Sequence, residues 1–247
     1  MKLQESSVAN AIEEYQKTPE FGVKIRSDKT RKQYVYQLRR LCSSCVDGIS
    51  VGDMNVSDLS VAKCQHIYWA LISGVEIKSG ERFANYTLEV ITRAWNVLMK
   101  YDMLDKNPWS LVERSKPAPR NTIWNASDFT KFLETAFSMS KWRNIGLLVR
   151  INVELGQRIE DIRLSTWDNY DLEEKLYSRE VILKTNERIA GIPLTDSLVK
   201  MLEEQKQDYH WQELVVPNPL TLEPYSEHNI SRTFRTIMNA AGLPSRL

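Results

Sequence analysis

Apolar residues recur along this chain mostly at helical spacing, and strand-like alternation is confined to one stretch. Residues 7 to 17 put Val8, Ile12 and Tyr15 on one stripe, which predicts a short amphipathic helix. Phe21 to Asp28 reads as a loop. Thr30-Arg31-Lys32-Gln33 has the T-x-x-Q form of a capping box, and the helix it opens carries Tyr34, Leu38, Leu41 and Cys45 on one side. The pattern breaks from Gly48 to Asn55. Ser57 then starts a helix that runs through Ala62, Ile67 and Leu71 to Gly74. After a loop, the longest helix spans Arg82 to Tyr101, with Leu88, Ile91, Trp95 and Leu98 stepping by three, four and three. Asn107-Pro108 closes this half, because the residue before a proline is pushed out of the helical region.

Val112 to Thr122 holds two prolines and three basic residues but no apolar repeat, and reads as an interdomain linker. Beyond it, Asn125 and Asp128 cap a helix with Phe129, Phe132, Leu133 and Ala136 inward. A break covers Ser138 to Arg143. Leu147, Val149, Ile151 and Leu155 then mark an apolar helix, and Gly156 stands where its end wants positive φ. A second short helix follows at once, with Arg158 and Asp161 on one face and Ile159 and Ile162 on the other. Two aliphatic runs around a polar tip, Val181 to Leu194, predict a hairpin with Lys184 at the tip end of its first strand and Pro193 ending the second. Asp196 to Gln207 is helical through Leu198, Met201 and Leu202. Leu214 to Tyr225 is a proline-rich loop. Ser226 caps a last helix with Ile230, Phe234, Ile237 and Met238 inward, ending at Gly242.

Composition adds limits. The 247 residues, 42% hydrophobic and 26% charged, can hold one large domain or two ordinary ones. No apolar run reaches membrane-spanning length, and Met1 to Ser7 lacks the apolar stretch of a signal peptide, so a cytoplasmic protein without membrane contact is expected. The net charge of +1 gives no global case for nucleic acid, but its distribution does. Between Lys17 and Arg40 eight basic residues face Glu20 and Asp28, and Arg114, Lys116 and Arg120 have no acid among them. Cys42 and Cys45 form a C-x-x-C pair at a helix end. With Cys64 the only other cysteine, neither zinc-ligand nor thioredoxin spacing is met, so these read as reduced structural residues; no metal or other cofactor is implied.

An arginine at the start of a helix with a carboxylate one turn on is a fork suited to a phosphodiester, or a plain structural ion pair. The order in which it stands is more telling. G-x-R-x-x-D, then L-x-x-W-D, then a hairpin carrying Lys184-Thr185 before a Pro-Leu strand end, resembles the catalytic domain of the tyrosine recombinases, the phage-integrase family. The first half resembles that family's helical core-binding domain through K-T-x-x-x-Y at Lys29 to Tyr34, Ala84-Asn85 and Asn107-Pro108. The resemblance implies a mainly α fold: a SAM-like core-binding domain over 1–111, a basic linker over 112–122, and an α+β catalytic domain with a small antiparallel sheet over 123–247. It implies catalytic roles for Arg158, its orienting Asp161 and Lys184. Face and charge then nominate Lys32, Arg39, Arg82, Asn85, Arg93, Lys116 and Arg120 as contacts to double-stranded DNA.

In that family a tyrosine attacks the scissile phosphate and stores the bond as a phosphotyrosyl link. Two arginines hold the charge that builds on the nonbridging oxygens, and the lysine can protonate the leaving oxygen. After its Ala-Gly-Leu-Pro this chain stops at Leu247, before an H-x-x-R box or a nucleophilic tyrosine, so a C-terminally truncated member is expected, one that binds duplex without cleaving it. His228 and Arg232 have the wrong spacing for the box. The expected state is a monomer in solution, with oligomers on DNA for a full-length protein. Two other readings stay open: a regulator or decoy that binds DNA with the same clamp, and a protein-interaction module in which Arg158 and Asp161 are structural.

Overall fold

A computed structural model describes residues 2–73, 80–117, 123–182 and 187–244, the side chains of 179–182 and 187–190 excepted. The chain divides into two units, Met1–Pro119 and Arg120–Leu247. Each buries its own apolar core.

In the first unit, Val8, Ile12 and Tyr15 are buried on α1 (Val8–Lys17), as their spacing predicts. The next stretch is not a plain loop: Glu20–Lys24 forms a π-helical turn. α2 (Asp28–Cys42) begins two residues before the T-x-x-Q motif. Its cap is Ser27, whose Oγ accepts from the Thr30 N–H at 3.3 Å, so Thr30 lies inside the helix. Tyr34, Leu38 and Leu41 point inward as expected, but Cys45 has left the helix for a hairpin, β1 (Cys45–Val46) and β2 (Ile49–Ser50). Asp47 and Gly48 form its turn at φ 55° and 77°. Two successive positive φ values are what a tight two-residue hairpin needs, and Asp-Gly supplies them. α3 (Val61–Ser73) starts later than Ser57 because Val56–Asp58 is a separate 3-10 turn. α4 (Glu81–Lys100) buries Leu88, Ile91, Trp95 and Leu98, the predicted stripe. Burial raises the thiol of Cys42 to about 11 and that of Cys64 to about 12, so both stay protonated and unreactive at neutral pH.

In the second unit, α5 (Ala126–Phe137) carries the expected capping box: the Asp128 N–H donates to Asn125 Oδ1 at 2.9 Å and the Asn125 N–H to Asp128 Oδ2 at 3.2 Å. The break after it is only two residues, since α6 (Ser140–Leu155) starts at Ser140. These two helices meet so closely that a Cβ on Gly146 would stand 2.8 Å from Ala136 Cβ. Gly156, at φ 62°, ends α6 and turns the chain into α7 (Ile159–Arg163).

The predicted hairpin is longer than its aliphatic runs and belongs to a three-stranded antiparallel sheet. β3 (Tyr170–Asp171), β4 (Leu176–Ile182) and β5 (Glu187–Pro193) lie in that order, with Tyr170 opposite Tyr177 and Ile182 opposite Glu187. α8 (Asp196–Tyr209) and α9 (Glu227–Ala240) are capped by Thr195 and Ser226. The architecture is mainly α with a small antiparallel sheet in the second unit, as the sequence implies; the two-stranded sheet of the first unit is additional.

Candidate nucleic-acid interface and phosphate site

Gly156 stops α6 and Arg158 becomes the cap residue of α7, at φ −66° and ψ 142°. Two backbone bonds fix this corner, from the N–H groups of Asp161 (2.9 Å) and Ile162 (3.2 Å) to the Arg158 carbonyl. The Arg158 side chain is exposed and makes no hydrogen bond or ion pair among the described residues. The Arg158–Asp161 pairing drawn from their spacing is therefore not made; Asp161 meets Arg158 through its backbone. Ile159 is also not an inward partner of Ile162: it is 40% exposed, while Ile162 is fully buried.

The ion pair of this short helix belongs to its other arginine. Arg163 pairs with Glu160 through Nε at 2.7 Å and through a second, shorter contact, and it donates to the Tyr225 carbonyl at 3.1 Å. Glu160 holds its guanidinium above the usual range. Of two arginines five residues apart, one is used up in structure and the other faces solvent.

A second polar group sits beside this corner. Glu154 Oε1 accepts from the Thr195 N–H at 3.0 Å and from the Thr195 hydroxyl, and Glu154 Oε2 pairs with Arg150 at 2.8 Å. Arg150 also donates to Ser197 Oγ at 2.9 Å. The last turn of α6 is thereby tied to the chain where it leaves β5 for α8. The same helix end that launches Arg158 thus anchors the base of the β4–β5 hairpin. Lys184 and Arg120, both nominated from the sequence, lie outside the described residues. Sequence reasoning passed over Glu154 and Arg150; their spacing of four on one helix was the available signal.

Tyr225 precedes α9 in the same unit and is 4% exposed, its hydroxyl buried without a hydrogen-bond partner among the described residues. Burial raises that phenol well above its ordinary range, which makes it a poor nucleophile.

On the first unit the nominated residues divide by their partners. Lys32 pairs with Asp28 at 2.8 Å, and Arg31 shares that carboxylate at 3.4 Å. Arg39 and Arg82 are exposed and unpaired among the described residues. The Arg93 guanidinium stands 5.8 Å from the centre of the Tyr34 ring. Asn85 faces inward: Tyr68 donates to its Oδ1 at 2.8 Å, and its Nδ2 donates to the Ser115 carbonyl at 3.1 Å. Lys116 is exposed. One basic group was not nominated from the sequence. Arg40 lies 4.7 Å from the ring centre of Phe83 and 5.8 Å from that of Tyr36, whose hydroxyl it also reaches at 3.0 Å. An arginine stacked between aromatic rings keeps its charge while losing little freedom on binding.

Among the described residues no group of three or more candidate ligands could hold a metal ion, and no helix is long and apolar enough to cross a membrane.

The fold defined by these elements is that of the integrases. The chain superimposes on lambda integrase (residues 75–356) bound to DNA with a TM-score of 0.73 at 18% identity, over 96% of this chain and 79% of that one. A lambda integrase tetramer bound to a Holliday junction matches at 0.77 and 18% identity, over 96% of this chain and 67% of that one. The Tn1549 transposon integrase (residues 82–397) in complex with circular intermediate DNA matches at 0.73 and 12% identity, over 98% and 82%. No protein-family model matches the chain, and no curated protein does either. At such identities the likeness is one of fold, and it spans both units.

Proposed function

We propose that this chain serves site-specific DNA recombination or integration of the tyrosine-recombinase kind, and that these 247 residues bind duplex DNA and hold a phosphodiester at Arg158. The observation that carries the reading is the state of Arg158 in an integrase fold. It is a guanidinium on a hydrogen-bonded backbone corner, exposed and without a counter-ion among the described residues, beside a sister arginine that has one. A fork of donors so placed can neutralise two nonbridging oxygens of one phosphate. The two solved integrases named above are bound to DNA.

In this reading Arg158 gathers charge on the phosphate and the hairpin delivers Lys184 toward the leaving oxygen. Asp161 supports the corner through its N–H bond to the Arg158 carbonyl. Arg39, Arg82, Arg93, Lys32, Lys116 and Arg120 supply phosphate contacts that are independent of sequence. The covalent step calls for a tyrosine and an H-x-x-R arginine, and no H-x-x-R occurs in these residues. The buried Tyr225 does not replace the tyrosine. On this proposal the chain by itself binds duplex without forming a covalent adduct, is a monomer in solution, and joins multimers on DNA. The place of action that goes with this reading is the cytoplasm of a bacterium or phage-infected cell.

Duplex binding across a salt series tests this. Affinity is expected to fall steeply with salt, and Arg158→Ala to reduce the slope of log K against log salt by about 0.9, one phosphate contact. Lys184→Ala should act in the same direction. An absence of duplex binding at low salt would remove the proposal and favour a protein-interaction module. A covalent protein–DNA product formed by these residues alone would show that a nucleophile lies among them.

A further inference from the structure

Residues 112–117, read from sequence as the first part of a linker, are held against the helices of the first unit. Val112 is buried in that unit's core, and the segment carries no helix, turn or bend. Gln65 on α3 takes both backbone groups of Glu113: its Oε1 accepts from the N–H at 2.8 Å, and its Nε2 donates to the carbonyl at 3.2 Å. Two residues on, Ser115 is held the same way. Its N–H donates to the Tyr68 hydroxyl at 2.7 Å, its carbonyl accepts from Asn85 Nδ2 at 3.1 Å, and its own hydroxyl donates to Glu81. Tyr68 closes the set by donating to Asn85 Oδ1 at 2.8 Å.

Side-chain amides and a phenol here do what a neighbouring strand does. They pair with the N–H and C=O of alternate residues, 113 and 115, and leave the positions that alternate with them, 114 and 116, out of the pairing. Arg114 and Lys116 occupy those alternate positions. Both are exposed, and neither has an ion-pair partner among the described residues.

We propose that residues 113–116 are a latched strand that presents Arg114 and Lys116 to the phosphates of duplex DNA, with Gln65, Tyr68 and Asn85 as its positioning residues. The inference rests on the duplex-binding reading above and changes one part of it, because Asn85 acts through the strand instead of touching DNA. A loose linker would have to be ordered when its cations meet phosphate, and fixing one residue's backbone weakens association roughly tenfold. The latch has already ordered these residues. Tyr68 is 1% exposed and both its donor and acceptor functions are spent on the latch, which makes its hydroxyl the critical atom.

The test is duplex binding by the 247-residue chain over a salt series, with amide hydrogen exchange followed at Glu113 and Ser115. Arg114→Ala combined with Lys116→Ala is expected to reduce the salt slope by about 1.8, two phosphate contacts. Tyr68→Phe keeps every charge. It should leave the slope unchanged, speed exchange at the Ser115 amide and weaken binding about tenfold, a combination that simple loss of stability would not give. Should Tyr68→Phe fail to fold, Gln65→Ala on the half-buried face of α3 removes the two bonds to Glu113 and is read in the same way. An unchanged slope in the double variant would overturn the proposal, and so would faster exchange in Tyr68→Phe without loss of affinity. A wild-type chain that ignores duplex altogether would instead overturn the reading on which the proposal rests.

Discussion

Glu20 shows how a single charge can be fixed by its surroundings. Its side chain is one-tenth exposed and accepts from Lys100 Nζ at 2.7 Å, from the Tyr101 hydroxyl and from Lys24 Nζ at 3.2 Å. Those bonds, Lys100 first and Tyr101 next, lower its pKa from 4.5 to about 2. A folded-state value below the unfolded one contributes stability that is present above about pH 4.5 and lost as pH falls toward about 2. Glu20→Gln should therefore flatten the acid side of the stability profile between those limits and lower stability at neutral pH. Denaturant midpoints measured from pH 2 to 7 check this; an unchanged acid slope would mean that Glu20 is not held this way. Asp28, Asp47 and Asp105 are lowered in the same direction by their cationic and amide partners, so only the comparison with the variant isolates Glu20. Only the Lys24 contact, four residues on, had a local signal; the Lys100 and Tyr101 partners were not legible, since Glu20 and Lys100 stand 80 residues apart. Local spacing reports neighbours on one helix and is silent about partners that tertiary packing supplies. The same limit explains Arg158. Its place at a helix start was readable from Gly156 and the apolar repeat, but its lack of a carboxylate partner was not, because a spacing of three permits a pair without requiring one.

Elements whose signal is local were read well. The capping box at Asn125 and Asp128, the stripe of α4 and the αL residue Gly156 all stand where the sequence puts them. The errors have physical causes too. Ser27 and not Thr30 caps α2; either hydroxyl can serve, and the T-x-x-Q spacing does not choose between them. The Asp47-Gly48 turn was a legible hairpin signal, overlooked because its strands are two residues long and show no alternation. β4 reaches back to Leu176 because Tyr177 packs on Tyr170, at 5.0 Å between ring centres, a cross-strand pair that aliphatic runs do not announce. The crossing of α5 and α6 carries a sharper consequence. A Cβ at Gly146 would stand 2.8 Å from Ala136 Cβ, closer than two carbons can pack. Both residues lie on buried helix faces, so one helix must move. Gly146→Ala should cost about 1–3 kcal/mol, the range for an overpacked core, despite the better helix propensity of alanine, worth about 1 kcal/mol in its favour. Urea unfolding measures it, and a stabilised variant would show that this crossing has slack.

At the scale of the whole molecule the division into two units, each with its own buried core, bears on how the chain unfolds. A unit of roughly 120 residues is large enough to form a cooperative domain by itself. Trp95, Tyr15 and Leu38 are buried in one core, and Phe132, Tyr177 and Leu202 in the other. The latch of 113–115 onto α3 and α4 keeps the end of the first unit within that unit's own hydrogen bonding. Calorimetry of the intact chain is therefore expected to resolve two transitions, and the variants above label them. Glu20→Gln should move only the transition of the first unit, most clearly near neutral pH where the native carboxylate is charged. Gly146→Ala should move only the other, by roughly 3–15 °C for a change of about 1–3 kcal/mol in a unit of this size. Duplex DNA that is gripped by both units should raise both transitions together, because a ligand that binds only folded states stabilises each of them by mass action. DNA that raises one transition alone would place the grip on that unit. A single transition that shifts with either variant would instead show that the two cores melt as one cooperative body.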